Sequence, residues 1–415
     1  MVPWFAGEIG CYISPVEQER FGSIDFDWFH LEELPGRLRE RQAIFSDADA
    51  EVLRPLGFQL SDGRAYTYVP EGKTFSVKPG IDAAQTVVEV SLDSWCSFVW
   101  ELKSCFALLY AEQLAVRSGS FGQMARWEPS LRVVFGDQDL FDLDHPSHIA
   151  DEFGCEVDLT KTFTLEDRAT EMRNFLELVG FVHIRAVLDA AEIEALRSDV
   201  SDALGKARPD DRKSWWTAVG GREVCNRVNY LNDGSARIAA LGADPRILDI
   251  AALGGPELRD ACDRLDGNSA VIKVPGSEGG LADLPWHRDC GMGGHPVKCP
   301  MLNVGIQLDA ATESTGQLQM IPGSHRGTCR IPSAREAQKH RVVAITTEPG
   351  DVTVHYGHTL HAAPPPNDPH ASGRRALYLT FVPPLTFEMV GPGEGYNDVL
   401  FTRSEGRVQH LNDID

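Results

Sequence analysis

The residues best suited to chemistry lie in two stretches. The first is Pro285-Trp286-His287-Arg288-Asp289. The second is His355-Tyr356-Gly357-His358-Thr359-Leu360-His361. On an extended strand, side chains two apart project from the same face. His287 and Asp289 then aim an imidazole and a carboxylate at one point. A histidine from the second stretch would complete a set of two His and one carboxylate. Such a set fills one face of an octahedral ion and leaves three positions open, which is the arrangement of non-haem Fe(II) sites that use oxygen. His355, His358 and His361 compete for the distal place. By itself an HxD pair is weak, since most such pairs are a surface His beside a surface Asp, so its setting must be read with it.

That setting is a run of short elements. Val304, Ile306 and Leu308 alternate after the pair, as in a half-buried strand. Thr315 to Arg326 follows, as TGQLQMIPGSHR. Pro349-Gly350-Asp351 then opens a strand into the histidine-rich stretch, and Gly373-Arg374-Arg375-Ala376-Leu377 enters another alternating strand. Upstream, Ala270 to Val274 reads as a strand ending at Pro275. The glycine-rich segment Gly276 to Leu284 reads as a mobile loop delivering His287. Short alternating strands between Gly and Pro turns predict a double-stranded β-helix, or jelly roll. Glu166 to Val179 reads as a helix and Phe181 to Ile184 as a buried strand. Asp189-Ala190-Ala191-Glu192 has the form of a capping box, ahead of a helix burying Ile193, Leu196, Val200 and Leu204.

Residues 165 to about 385 resemble the phytanoyl-CoA dioxygenase family of Fe(II)- and 2-oxoglutarate-dependent oxygenases. The likeness rests on the HxD, TGQLQMIPGSHR, PGD, LHAAPPPN around His361, and RRAL, in that order. It implies a cupin-like jelly-roll oxygenase domain over 165–390 with flanking helices. It also implies His361 as the distal metal ligand beside His287 and Asp289. Arg374, thirteen residues after His361, would take the far carboxylate of 2-oxoglutarate, for which a planar guanidinium is suited. Arg375 would point to the opposite face. Fe(II), 2-oxoglutarate and O2 are the implied cofactors, with release of succinate and CO2. The family often carries Gly-Ser after the distal histidine, where this chain has Ala362 and Ala363. His325 is read as structural, holding the PGSHR turn. Related halogenating enzymes replace the HxD carboxylate by a small residue. With Asp289 present a halide has no seat, and hydroxylation of a C–H bond is the expected outcome. The alternatives are desaturation, cyclisation or epimerisation with the same cofactors, or a jelly-roll protein that binds a ligand without turnover.

A chain of 415 residues has room for two domains. Its 42% hydrophobic and 24% charged residues suit a globular protein. The net charge of -22 disfavours nucleic acid and anionic membrane as partners, because both would be repelled. A small or lipid-like molecule is the expected substrate. No apolar run approaches a membrane span, and residues 1–5 lack the features of a signal peptide. Nine cysteines without a CxxC pair point to free thiols and a cytoplasmic location. Cys290 and Cys299, near the HxD, are the only thiols placed to compete for a metal, and their spacing does not suit a zinc site.

Residues 1–155 read as a separate, smaller α/β domain. Thr74–Val77 and Thr86–Val90 are strand-like. Trp95, Phe98, Val99, Leu102, Phe106, Leu109 and Tyr110 recur at helical spacing, predicting one amphipathic helix. The order of these elements with LAVRSGSFGQMARW is similar to sterol-carrier-type lipid-binding domains. With no catalytic constellation, this unit is expected to be accessory, covering or shaping the substrate entrance. An acidic, Pro- and Gly-broken stretch at 137–164 marks the boundary. Trp215, Trp216, Arg222, Asn226, Arg227 and Asn229 show no clear period and read either as a surface loop or as a substrate-facing segment. The tail, 391–415, is polar and carries little signal.

Overall fold

The computed structural model describes residues 21–403, apart from 42, 144, 146–147, 278–283, 292–296, 298, 369, 371–372 and 391–394. Helices and sheets are mixed, around two large hydrophobic cores. The glycine-rich loop expected at 276–284 falls mostly outside the described residues.

The first core belongs to a five-stranded sheet. Its strands are β1 (Leu56–Leu60), β2 (Ala65–Glu71), β3 (Thr74–Pro79), β4 (Thr86–Val90) and β5 (Leu114–Ser118), in the order β3-β2-β1-β4-β5. β1 and β4 are parallel; the other pairs are antiparallel. Phe26, Phe29, Tyr68, Trp95 and Trp127 fill the core. The single helix expected over 95–110 is in fact two, α1 (Leu92–Val99) and α2 (Cys105–Tyr110). Glu101 adopts φ 60, a left-handed conformation that ends a helix. Ser104 then accepts from the Ala107 amide and starts the next one. The apolar spacing continues across the break, and so it hides it. Helix α3 (Phe121–Phe135) completes this unit.

The second core lies under a larger sheet that includes β7 (Phe181–Ile184), β8 (Ser214–Val219), β9 (Arg222–Val228), β10 (Arg259–Asp260) and β11 (Ser269–Lys273). It continues with β13 (Leu302–Gln307), β17 (Val352–Tyr356) and β19 (Arg374–Val382). Its order is β7-β17-β13-β19-β11-β9-β8, with β10 on β19, and every pair is antiparallel. A four-stranded antiparallel sheet, β12 (Leu284–His287), β18 (His361–Ala363), β14 (Leu318–Met320) and β16 (Val343–Ile345), pairs in that order. Leu318, Met320, Ile345 and Ala363 from it share a core with the larger sheet. Two such sheets over a common interior are the layers of a jelly roll.

Alternation assigns the faces. Leu302, Val304, Ile306, Leu377, Leu379 and Phe381 are fully buried on one side of the large sheet. They share the core with helix α4 (Ala169–Val179) and helix α5 (Ala190–Lys206). Asp189 and Glu192 close the expected capping box at the start of α5. Ile149, Leu159 and Phe163 also enter this core, so the acidic stretch packs against the sandwich. Within it β6 (Asp139–Leu140) pairs in parallel with β15 (Gly327–Thr328). Trp215 to Asn229 is neither a loop nor irregular: it is the β8–β9 hairpin that extends the sheet edge. Its bulge at Trp215/Trp216 breaks the period-2 signal. The tail likewise contains helix α6 (Tyr396–Arg403), which docks on that hairpin. Asn397 is fully buried there and accepts from Trp215 Nε1 and Asn229 Nδ2, both at 2.7 Å.

Candidate metal centre

Strand pairing brings the donors together. His287 ends β12 and lies directly opposite His361 on β18. Their rings are 4.1 Å apart. The backbone amides of Asp289 and Cys290 both donate to Gly357 O, at 2.8 and 3.2 Å, which turns the chain and presents the Asp289 carboxylate. One donor atom each from His287, Asp289 and His361 lies within 4.8 Å of the others, and no other such group of His, Cys, Asp or Glu occurs among the described residues.

Each imidazole is oriented by its second nitrogen. His287 Nδ1 is 2.7 Å from Pro285 O, and His361 Nδ1 is 2.9 Å from Thr359 O. A carbonyl only accepts, so Nδ1 carries the proton and Nε2 is left with its lone pair, as a metal ligand requires. Burial raises the Asp289 pKa, but the His361, His287 and His355 rings outweigh it and hold the carboxyl well below its ordinary range. Burial, then the His287 ring, pushes His361 well below the ordinary imidazole value, so it stays neutral. A carboxylate and two imidazoles suit Fe(II).

The other two histidines behave differently. His358 is buried in the turn before β18 and is outside the three-donor group. The parity that separates His355 from Val352 and Val354 turns its ring inward. There its Nε2 lies 3.4 Å from Asp289 Oδ2 and its ring 4.4 Å from that of His361. His325 binds Glu177 O at 2.9 Å and stacks on Tyr356. Cys290 and Cys299 face each other, Sγ to Sγ 3.4 Å, in a small apolar cluster.

Sequence reasoning missed several residues of the inner face. Cross-strand register sets His355, Asn303 and Thr380 in one row over β17, β13 and β19. Asn303 Nδ2 donates to Asp289 Oδ2 at 2.6 Å, and Thr380 Oγ1 donates to Asn303 Oδ1 at 2.9 Å, which fixes the amide orientation. Asn303, Tyr378, Thr380 and Val271 are half-buried, although their strands have neighbours on both sides. Trp215 and Arg227 carry this face onto the hairpin, with the guanidinium 4.4 Å over the indole.

Arg374 is 2% exposed. It donates from Nε and Nη2 to Gly316 O, at 3.0 and 2.7 Å, and no carboxylate pairs with it among the described residues. Burial draws its pKa down, as for a cation lacking a counter-ion. Its cross-strand partner is Lys273, 1% exposed, whose Nζ donates to Ala363 O. Arg374 and Lys273 thus stand side by side on neighbouring strands, both buried. Arg375 faces the other way and pairs with Asp309 at 2.7 Å.

Residues 176–373 match the family model described as phytanoyl-CoA dioxygenase (PhyH). A probable alpha-ketoglutarate-dependent hypophosphite dioxygenase of Stutzerimonas stutzeri is 25% identical over 265 residues, 58% of this chain and 86% of that protein. The crystal structure of AviO1 from Streptomyces viridochromogenes Tue57 is 24% identical, with a TM-score of 0.45 over 53% of this chain and 96% of that one. That of EctD from S. alaskensis with 2-oxoglutarate and 5-hydroxyectoine is 20% identical, with a TM-score of 0.43 over 55% and 82%. Among the described residues no helix is long and apolar enough to cross a membrane.

Proposed function

We propose a specific activity from one premise, that residues 176–373 belong to the phytanoyl-CoA dioxygenase family and the protein is an Fe(II)- and 2-oxoglutarate-dependent dioxygenase. The activity is hydroxylation of a C–H bond in a small molecule. His287, Asp289 and His361 hold the iron, and Arg374 takes the far carboxylate of 2-oxoglutarate with Lys273 beside it. The convergence of His287, Asp289 and His361 in one group supports this reading above all else. Iron and 2-oxoglutarate, when bound, would activate O2, one oxygen atom going to the product and the other to succinate as 2-oxoglutarate loses CO2. The chain's own part is to orient and to shield. Carbonyls hold the Nδ1 protons of both histidines. Asn303 holds the carboxylate, and His361 is buried among the strands around it. Of the small and lipid-like substrates expected, the half-buried Asn303, Tyr378 and Thr380 favour a small polar one. A cytoplasmic site of action fits the eight thiols left unbridged among the described residues.

The test is succinate release from Fe(II)-loaded protein across candidate small molecules, with mass spectrometry of the product under labelled oxygen and chloride in the buffer. One labelled oxygen atom added to the product is the expected result. Loss of two hydrogens without oxygen moves the reaction to desaturation or cyclisation, and a chlorinated product overturns the argument from Asp289. Binding of small molecules with no succinate from any of them would make this a binding protein.

A further inference from the structure

We infer that the N-terminal unit is part of the iron site: the corner between α1 and α2, residues 100–104, grips the chain just after Asp289 and holds that carboxylate in place. The inference rests on the reading of Asp289 as a ligand. The family match begins at residue 176, so this grip comes from outside the matched stretch.

Two hydrogen bonds make it. Ser104 Oγ donates to Gly291 O, two residues beyond Asp289. The Val297 amide donates to Glu101 O at 2.9 Å. Gly291 has φ +85, and a Cβ there would meet Ser104 Cβ at 3.4 Å, so the two chains approach closely. From the opposite side, Gly357 O takes the amides of Asp289 and Cys290. Residues 289–291 are therefore held between the turn that leads to His361 and the N-terminal corner.

A grip of this kind works only if the corner itself is stiff. Arg132 is fully buried beneath it and donates to Phe98 O at 2.6 Å and Lys103 O at 3.2 Å, with Glu128 as its ion-pair partner. Gln138 Nε2 donates to both carboxylate oxygens of Glu101, at 2.8 and 2.9 Å. Asp49 and Arg330, 3.1 Å apart, and the β6–β15 pairing tie the two units together at other points. The corner is thus a fixed post, and the segment leaving Asp289 is fastened to it. Groups that orient a metal ligand from behind change metal affinity by about 10–100-fold when removed.

The experiment uses the full chain and reads Mn(II) binding by electron paramagnetic resonance, with 2-oxoglutarate present. Ser104→Asp keeps the acceptor that caps α2 but has no proton to give Gly291 O. It should weaken Mn(II) binding about ten-fold, while Ser104→Thr, which keeps the donor, should match the native chain. Asp289→Ala is the control and should abolish binding. A merely structural role for Ser104 would lower the melting temperature and leave Mn(II) affinity unchanged, and that result would overturn the inference with the ligand assignment intact. Unchanged binding in Asp289→Ala would bring down the assignment and the inference together. If circular dichroism shows Ser104→Asp to be unfolded, Gln138→Leu, which loosens the corner from below, is read in the same assay. Native affinity in that variant counts against the inference.

Discussion

A histidine that serves a metal through one nitrogen almost always donates its other N–H to an acceptor, which fixes the tautomer and the ring orientation. His361 meets that condition through Thr359 O, whereas His358 lies outside the donor group. His361→Ala should therefore lose iron, measured by metal analysis after desalting, and His358→Ala should keep it. The reverse pattern would show that the distal ligand is wrongly chosen. Arg374→Ala should raise the 2-oxoglutarate requirement steeply, by about 2–5 kcal/mol of binding, as for a buried charge left without its partner. Arg375→Ala breaks the half-buried pair with Asp309 and a donation to Ser201 Oγ and should leave the 2-oxoglutarate dependence alone. Both are read by titrating 2-oxoglutarate against its decarboxylation. Asn303→Leu should weaken metal binding by about 10–100-fold. Thr380→Val, which frees only the orientation of the Asn303 amide, should do less. Equal Mn(II) affinities across the three proteins would remove Asn303 from the site.

Elements respond through what they dock on. Helix α6 is seated by Asn397, which accepts from Trp215 and Asn229, donates to Arg212 O, and uses its amide to bind Asp266 Oδ1. Asn397→Ala strands buried donors, each costing about 1–3 kcal/mol. The expected result is a lower melting temperature, with faster hydrogen exchange in the β8–β9 hairpin than in β13 or β19. Uniform exchange across the sheet would mean that α6 does not hold the hairpin. The α1–α2 break shows how such detail escapes a periodicity argument. Hydrophobic spacing records which face is buried, not whether the helix pauses at Glu101 to turn a corner.

Across the whole molecule, the two cores share a weakness to acid. Burial pushes His30 in the first core down to about 4, and His325 in the second likewise to about 4, from the usual 6.5. Each is neutral when folded and takes up a proton more readily when unfolded. The stability it contributes is therefore complete above pH 6.5 and is lost as pH falls from 6.5 through 4. For shifts of this size the loss is about 3 kcal/mol per histidine. Urea unfolding of the native chain should show a marked drop between pH 7 and 4. His30→Gln, whose amide does not titrate in this range, should show a smaller one. Equal losses in the two proteins would locate acid sensitivity elsewhere. Trp95, stacked 5.3 Å from His30, reports the first core by fluorescence.

What the sequence could settle alone was whatever is written in short-range pattern. Short strand-like runs located β7 at Phe181–Ile184 and β4 at Thr86–Val90, and the capping box located the start of α5. Residue types at a spacing of two singled out His287 and Asp289 as candidate donors, although β12 ends at His287 and it is the turn held at Gly357 O that presents Asp289. Opposite directions for Arg374 and Arg375 follow from the same period. Which distant groups meet was not written there. His361 was chosen from its LHAAPPPN context, and only the register of β12 against β18 sets it opposite His287; the row His355–Asn303–Thr380 exists only because three strands far apart in sequence pair in one register. Lys273 stands beside Arg374 only because β11 pairs with β19. The Ser104 grip on Gly291 joins two units that no local pattern connects. Local order follows from the sterics and hydrogen bonding of neighbouring residues, whereas long-range register is decided by which apolar faces the whole chain can bury at once, and only the tertiary structure records that outcome.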